Sequence, residues 1–415
     1  MAVRVCMLVY HYWPGPEGGT ERQCRKLAAA LTRRGAACTV LTTRAYRGVP
    51  WSESDGAVRI VRLPTWDGFR RNPHTEPGPG TAPRAATRQR PLLPGRAAAL
   101  AQRTLEWLNS LLFQVLATVW LTRHSREYDI LNVHTSEWIA GLAAWLGRRL
   151  RLPVLCKVAT SPVFPPVGRS VPFGRCWDRQ RRLGYFVALN TDMAAELRAD
   201  GVPGQRIRVI PNSVEMPAVR ERREEAGLVL YVGNLTQHVW KAFDVLFDAW
   251  ALVSRALPSA RLAVLGGGDP TPWERLLSEA GCRDSVSFEG FVQDVNAHYR
   301  RAAVLALPSR QEGMSNALLE AQSWGVPAVV SDIAANRAVV TDGETGLVVP
   351  VNDAAALSAG ILRLLRDTGL RHAMGAAARR QVERVFALDA VADQTLSAYE
   401  ALVPAVGAGS ATLSR

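Results

Sequence analysis

The chain is 415 residues long and 48% hydrophobic, a composition that indicates a folded globular protein with enough length for two domains. Its formal net charge is +13, and three lysines among 50 basic residues leave 47 arginines. The six cysteines are scattered without a CxxC pair, which argues against a disulfide framework or a zinc site. No nucleic-acid-binding motif accompanies the positive charge, so nucleic acid is not an expected partner, whereas an anionic membrane surface is a candidate.

The chain opens with an apolar segment, residues 3–10, that runs directly into a Gly/Pro-rich loop. This arrangement is typical of a first β-strand and not of a secretory signal, so a cytoplasmic location is expected. A helix over residues 20–34 follows, and further strands are predicted at 37–42, 128–133, 154–158 and 185–189. Alternation of short β-rich runs with amphipathic helices predicts a parallel sheet wound with helices.

Residues 70–103 interrupt this pattern with a Pro/Gly-rich insert that contains many arginines and a single acid, Glu76, and a helix is predicted over 97–121. Two interpretations stand. A basic loop beside an apolar helix is typical of an interfacial membrane anchor, which would place the protein peripherally on the inner face of a membrane. Alternatively, the helix packs on the first domain behind an irregular loop. The apolar run 111–121 is shorter than the ~20 residues of a membrane-spanning helix.

The strand and helix pattern repeats after a break near residues 212–226, where prolines and the charged run 220–225 interrupt it. Strands are predicted at 228–232, 261–265, 286–289, 304–307 and 328–330, with helices at 243–255, 272–280, 294–301 and 316–324. The expected fold class is therefore α/β, with two Rossmann-like, doubly wound parallel-sheet domains facing a cleft. The proposed boundaries are 1–212, 213–385 and a C-terminal helix in 386–415 that packs back toward the first domain, with a frayed tail.

Candidate functional residues follow the predicted strands, as ligands of open parallel sheets bind at the carboxyl ends of strands. Gly18 and Gly19 follow the first strand and open a helix, so their N–H groups can face a phosphate, although a tight turn would explain them equally well. His134 ends the strand 128–133 and should point over the cleft. The glycines at 266–268 lack the spacing of a dinucleotide site.

The segment from Glu312 to Glu320 is the most informative part of the chain. Ser315 or Asn316 can cap a helix, so Glu312 precedes that helix and Glu320 lies on its early turns. The helix N-terminus between them favours an anion, and Gly313 allows a ligand to approach the backbone. Because carboxylates accept hydroxyl hydrogen bonds, the segment suits a diphosphate flanked by two hydroxyl-rich rings, as in a nucleotide sugar. A surface helix with solvated acids is the alternative.

Two further residues precede a helix of the second half. Asn234 follows the strand 228–232, and Lys241 lies just before the helix over 243–255. Lys241 can neutralise a diphosphate that gains charge as a bond to it breaks. An ordinary surface lysine is the alternative.

From residue 18 through residue 350, the chain resembles a family 4 glycosyltransferase of the two-domain GT-B fold. The resemblance is carried by the glycine loop, the segments 206–215 and 342–350, Asn234 with Lys241, and the pair Glu312 and Glu320. It implies retaining transfer of a sugar from a nucleoside diphosphate donor without a metal ion or another cofactor. The first domain would then bind the acceptor and the second domain the donor.

The resemblance also implies roles for individual residues. Glu312 would bind hydroxyls of the donor sugar, Glu320 the ribose, Lys241 the phosphates, Gly19 the pyrophosphate, and His134 the sugar near the reaction centre. The catalytic set is Glu312, Lys241 and His134. The donor-binding set is Gly18, Gly19, Asn234, Gly313, Met314, Ser315, Asn316 and Glu320.

The chain departs from the family pattern at several positions. Asn234 stands where an arginine is common, and Ala242 stands where a glycine usually follows the lysine. The strand 154–158 lacks the usual histidine-containing turn after it, and Lys157 is a candidate source of charge there. The acceptor, expected to meet loops 46–103 and 160–182, is a lipid-linked glycan, a polysaccharide intermediate or a small metabolite. A sugar-nucleotide epimerase and a non-catalytic nucleotide-sugar-binding protein are the alternatives.

Overall fold

The structure, a computed structural model, describes residues 2–13, 18–44, 46–66, 95–134, 138–159, 173–218, 222–292 and 294–408. The residues outside these ranges include 70–94 of the predicted basic insert 70–103, 160–172 of the second predicted acceptor loop 160–182, and 409–415 of the predicted frayed tail.

The first domain is built on a sheet that includes the strand before Gly18 and Gly19. Its strands are β1 (Arg4–Leu8), β2 (Ala37–Thr43), β3 (Ser52–Asp55), β4 (Val58–Leu63), β5 (Ile130–Val133), β6 (Val154–Lys157), β7 (Tyr185–Ala188) and β8 (Ile207–Val209). Its helices are α1 (Gly19–Arg33), α2 (Gly95–His124), α3 (Trp138–Leu150), α4 (Phe173–Leu183) and α5 (Thr191–Ala199). In the described part of the chain this is an eight-stranded sheet of order β3-β4-β2-β1-β5-β6-β7-β8. The strand order reverses between β1 and β5, which is where open sheets place their ligands.

The second domain contains a sheet with every described pair of strands parallel. Its strands are β9 (Leu228–Val232), β10 (Arg261–Leu265), β11 (Val286–Gly290), β12 (Val304–Leu307), β13 (Ala328–Ser331) and β14 (Gly346–Val349), in the order β11-β10-β9-β12-β13-β14. Its helices are α6 (His238–Lys241), α7 (Phe243–Ala256), α8 (Thr271–Glu279), α9 (Asn296–Arg301), α10 (Asn316–Ser323), α11 (Ala334–Arg337), α12 (Ala354–Arg366) and α13 (Thr368–Val385). The predicted α/β class with two parallel-sheet domains is confirmed, with β3 as one antiparallel edge strand.

The chain passes between the two domains twice. It leaves the first sheet after β8 and returns after α13, and the two crossings pair through hydrogen bonds from Val214 N to Phe386 O and from Leu388 N to Val214 O, both 2.9 Å. The last helix, α14 (Leu388–Ala408), then packs on α1. Its buried Tyr399 accepts a hydrogen bond from Asn132 of β5. The C-terminal helix therefore completes the core of the first domain.

Helix α2 has two apolar faces, one buried in the first domain and the other exposed. Phe113, Ala117 and Leu121 are buried in the core of the first domain. A stripe at spacing four on the other side stays 40–53% exposed and consists of Trp107, Leu111, Val115 and Val119. Over the residues described, no helix is both long and apolar enough to cross a membrane.

Candidate functional site

Helix α10 starts at the carboxyl edge of the second sheet, and its start is fixed by a cap. Ser315 is the N-cap, and its hydroxyl oxygen accepts a hydrogen bond from Leu318 N at 3.4 Å. Leu318 and Leu319 face the core and are fully buried. Glu312 therefore lies just before the helix and Glu320 on its second turn, so the two carboxylates flank the N-terminal N–H groups.

Glu312 forms the centre of a polar cluster with Lys241. Lys241 Nζ lies 2.5 Å from Glu312 Oε1, and Ser309 Oγ donates to the same oxygen at 2.9 Å. Ser309 is held in turn because the Ser331 hydroxyl donates to its carbonyl oxygen, and Asn336 Nδ2 donates to Ser331 O at 2.9 Å. This buried chain of hydrogen bonds fixes the carboxylate while leaving its second oxygen without a described partner.

Lys241 stands at a sharp junction between two helices. Ala242, the next residue, adopts a left-handed conformation with φ of +52° and is the N-cap of α7. The loop that carries Glu312 is tied to the preceding residue, since Arg310 N donates to Trp240 O at 2.8 Å. The backbone thus holds the lysine and the glutamate side by side, which the 71-residue separation in sequence did not reveal.

Asn234 has a separate environment. Its side-chain oxygen accepts from both the backbone N and the hydroxyl of Thr236, each at 2.9 Å, so it closes its own turn. The side chain is exposed, and no described contact links it to Glu312 or Lys241. Only its amide N–H groups are left for a ligand.

Glu320 lines a pocket between the two domains. Tyr299 Oη donates to Glu320 Oε2 at 3.1 Å, and burial, with a smaller contribution from Glu320, raises the pKa of Tyr299 well above its usual value. The pocket has a volume of about 370 Å³, within the range of small-molecule sites. Arg22 and Lys26 of α1 line its opposite wall, one helical turn apart. Sequence analysis missed Arg22, although it follows the glycine loop directly.

Gly19 and Asn316 meet across the cleft. Asn316 Nδ2 donates to Gly19 O at 3.4 Å, and its Oδ1 accepts from Gln23 Nε2 at 3.1 Å and from Asn212 Nδ2 at 3.0 Å. A Cβ atom on Gly19 would lie 2.8 Å from Asn316 Nδ2, so glycine permits this close approach. The two predicted donor residues are thus in direct contact, and Met314 accepts at its sulfur from Asn212 N.

Gly18 is used differently from the expectation that its N–H faces a ligand. Its N–H donates to Glu21 Oε2 at 2.9 Å, so the glutamate side chain caps the start of α1. Gly313 is buried directly before Met314 in the loop that leads into α10.

His134 follows β5 as predicted, but its ring is only 1% exposed. Neither ring nitrogen has a hydrogen-bond partner among the described residues. Burial, and then the charge of Lys157, lowers the pKa of His134 to about 3, so the ring is neutral at pH 7. The structure places this residue at the first sheet, without a described contact to Glu312 or Lys241. No group of three His, Cys, Asp or Glu in the described ranges could hold a metal ion.

Two family models match most of the chain. Residues 18–213 match a glycosyl transferase 4-like domain, and residues 226–367 match the model of glycosyl transferases group 1. A phosphatidyl-myo-inositol mannosyltransferase of Mycobacterium leprae is 30% identical over 66% of this chain and 74% of that protein. A D-inositol 3-phosphate glycosyltransferase of Xylanimonas cellulosilytica is 27% identical over 95% of this chain and 96% of that protein.

Solved structures share the fold at lower identity. Sucrose-phosphate synthase from Thermosynechococcus elongatus superimposes with a TM-score of 0.71 at 20% identity, over 97% of this chain and 100% of that one. Anabaena HepE, in complex with UDP and glucose, gives a TM-score of 0.68 at 15% identity, over 96% of this chain and 100% of that one.

Proposed function

Because this chain belongs to the family 4 glycosyltransferases, we propose that it moves a sugar from a nucleoside diphosphate to an acceptor hydroxyl with retention of anomeric configuration. One observation carries the proposal. The Glu312–Lys241 pair and the Glu320–Tyr299 pair flank the N-terminus of α10, which meets Gly19 across the cleft. A diphosphate at that N-terminus would have one carboxylate toward its sugar and the other toward its ribose.

In the transfer step, the bond between the sugar's anomeric carbon and the phosphate oxygen breaks, and a bond to the acceptor oxygen forms on the same face. The acceptor's proton goes to the departing phosphate oxygen, so no separate base is needed. Lys241 and the helix N-terminus would stabilise the charge that develops on the diphosphate. Glu312 would hold the sugar hydroxyls with its free oxygen while Ser309 keeps it in place. His134 would contact the donor sugar from the first domain.

Arg22 is the second cation that this arrangement needs. Asn234 contributes no charge, and Lys241 shares its charge between Glu312 and the diphosphate. Arg22 of α1 lines the same pocket as Glu320. Guanidinium groups bind phosphate through paired hydrogen bonds, so Arg22 would compensate for the missing charge at position 234.

For the acceptor, we propose a lipid-linked glycan or another polyol of polysaccharide assembly, with a small metabolite as the alternative. The support comes from the names of the relatives, an inositol phosphate glycosyltransferase and a phosphatidylinositol mannosyltransferase. A cytoplasmic enzyme that docks on the inner face of the membrane would fit such acceptors.

The exposed stripe of α2 supports membrane docking. This face lies outside the protein core and is formed by Trp107, Leu111, Val115 and Val119. The arginine-rich insert precedes the helix in the sequence. At low salt, a larger fraction of the protein should co-sediment with vesicles of anionic lipid than with zwitterionic vesicles. The double variant Leu111→Asp/Val115→Asp should lose binding, whereas Leu276→Asp, at an equally exposed leucine of the second domain, should keep it. Equal binding of both variants would contradict docking through α2.

The donor is tested by thermal unfolding with a panel of nucleoside diphosphates and nucleotide sugars. A ligand that binds only the folded state at a hundred times its Kd adds about 2.7 kcal/mol of stability, which raises Tm by several degrees. Glu320→Ala should lose the shift. If no nucleotide shifts the wild type, the donor site is not functional. Turnover that requires an acceptor separates transfer from epimerisation, and binding without turnover would indicate a binding protein.

A further inference from the structure

Lys157 differs from the other two lysines of the chain. Lys241 lies 2.5 Å from Glu312, and Lys26 lies 3.9 Å from Glu215. Lys157 is the last residue of β6 and is only 8% exposed, yet no hydrogen bond or ion pair joins its ammonium group to another described residue. A buried charge without a partner is costly, and such groups are concentrated at functional sites.

His134 lies beside Lys157 at the same edge of the sheet. The strands β5 and β6 pair in register, with Val133 opposite Cys156, so the next residues on each strand are 134 and 157. Both ring nitrogens of His134 are buried without a described partner. Two polar side chains with unused hydrogen-bonding capacity therefore stand next to each other under the first domain's surface.

The surroundings contain no described group that balances the positive charge. Lys157 interacts electrostatically with Cys24 of α1, but burial raises the pKa of that thiol well above its usual value, so it is neutral. The neighbouring His134 is neutral as well. Among the residues that the structure describes, the packing therefore places no acid beside this positive charge and neutral imidazole.

The place of this pair in the fold is where a substrate would arrive. His134 N donates to Leu8 O at 3.0 Å, so the pair adjoins the point between β1 and β5 where the strand order reverses. Open sheets bind ligands at this point, outside the carboxyl ends of the strands. We propose that Lys157 and His134 form a subsite for an anionic oxygen group, a phosphate or a carboxylate, on a substrate that enters the cleft. This proposal rests on the proposed sugar transfer.

The first test uses inorganic phosphate as the probe on the whole chain, with the nucleoside diphosphate that the panel identifies at saturation to occupy the donor site. Thermal unfolding of the wild type should respond to phosphate. Lys157→Met should have a higher starting Tm because the unpaired buried charge is gone, and its phosphate affinity should fall roughly ten- to hundredfold, as expected for a charged hydrogen bond. Lys157→Arg should retain part of the response, and Arg275→Met, at an exposed arginine of α8 outside the pocket, serves as the control.

The proposal is overturned if phosphate shifts Lys157→Met as much as the wild type, or if it does not shift the wild type at all. A chain that binds none of the nucleoside diphosphates of the panel would instead refute the proposed function. In that case the phosphate response is measured without nucleotide in the Lys241→Met background, so the two failures are distinguishable.

The source of the anion is found by comparing two donors. If Lys157 recognises a carboxylate on the donor sugar, UDP-glucuronic acid should bind the wild type more tightly than UDP-glucose without acceptor, and Lys157→Met should remove the difference. If the anion belongs to the acceptor, the two donors should bind alike, and phosphate should inhibit transfer competitively with the acceptor and not with the donor. Loss of neither property in Lys157→Met would contradict both assignments.

Discussion

Glu312 is held on one side by Lys241 and Ser309, so its charge is shared between the protein and any sugar it binds. Glu312→Gln should lower the transfer rate by roughly 10²-fold or more while nucleoside diphosphate affinity changes little, because an amide cannot stabilise the cation or accept as strongly. Initial rates and Kd measured on the same preparations check this. Glu344→Gln, at an exposed glutamate of the second domain, is the control, and wild-type transfer by Glu312→Gln would refute the assignment.

Lys157 should also give the protein an unusual dependence of stability on pH. Burial lowers the pKa of Lys157 from 10.5 to about 8. Between these values the unfolded chain binds the extra proton, so the free energy of unfolding rises with pH, by roughly 3 kcal/mol in total from this group. The penalty is fully present below pH 8 and absent above pH 10.5. His134 does not titrate in this window. The thiol of Cys24 titrates near pH 9 in the unfolded chain, and burial raises its pKa in the folded protein, so its own contribution to the free energy of unfolding falls with pH and must be removed by comparison with a Lys157 variant.

Urea unfolding at a series of pH values checks this prediction. The stability advantage of Lys157→Met over the wild type should be largest near pH 7 and should vanish near pH 10.5. An advantage that stays constant over this interval would mean that folding does not lower the pKa of Lys157.

Three consecutive glycines follow β10, and the turn that they form depends on Gly266 more than on Gly267. Gly266 has φ of +148°, and a Cβ there would lie 1.9 Å from Gly233 O, whereas a Cβ on Gly267 would meet no atom within 4 Å. Gly266→Ala should therefore destabilise the protein by about 3 kcal/mol or more and displace the Asn234 turn, while Gly267→Ala should cost about 0.5 kcal/mol or less. Similar unfolding midpoints for the two variants would contradict this packing.

The sequence predicted the elements best where continuous apolar runs are bounded by turn residues. Strands β9, β10 and β12 have the predicted bounds. The hairpin of β3 and β4 was not predicted because β3 is polar and β4 carries Arg62, which is buried through an ion pair with Glu53 and a hydrogen bond to Trp13 O. A buried arginine contradicts the simple pattern of apolar residues inside.

The site was predictable to the extent that its residues follow strands. Glu312, Glu320 and Lys241 could be placed because each lies next to a recognisable strand end or helix start. The Lys241–Glu312 contact, the Tyr299–Glu320 bond and the position of Arg22 depend on how two helices and two domains meet. Local sequence carries no signal for such long-range distances.

Asn316 links the two domains in the free protein, since it bonds to Gly19 and Gln23 of the first domain and to Asn212 at the crossing. Removing the two bonds to Gly19 and Gln23 by Asn316→Ala should favour an open arrangement by roughly 2 kcal/mol, at about 1 kcal/mol for each neutral hydrogen bond. Small-angle X-ray scattering should show a larger radius of gyration, which a bound nucleoside diphosphate reduces. Ser309→Ala, which acts within the second domain, should leave the radius unchanged, and an unchanged radius for Asn316→Ala would refute the link.

The return of α14 to the first domain has a consequence for how the protein is made. A ribosome completes every strand of the first sheet before the second domain begins, but the helix that covers α1 and receives Asn132 is synthesised last. The first domain must therefore wait with an uncovered apolar surface through the synthesis of about half of the chain, although domains ordinarily fold as units during translation. The emergence of α14 from the ribosome, and not the completion of either sheet, sets the moment at which the native core can close.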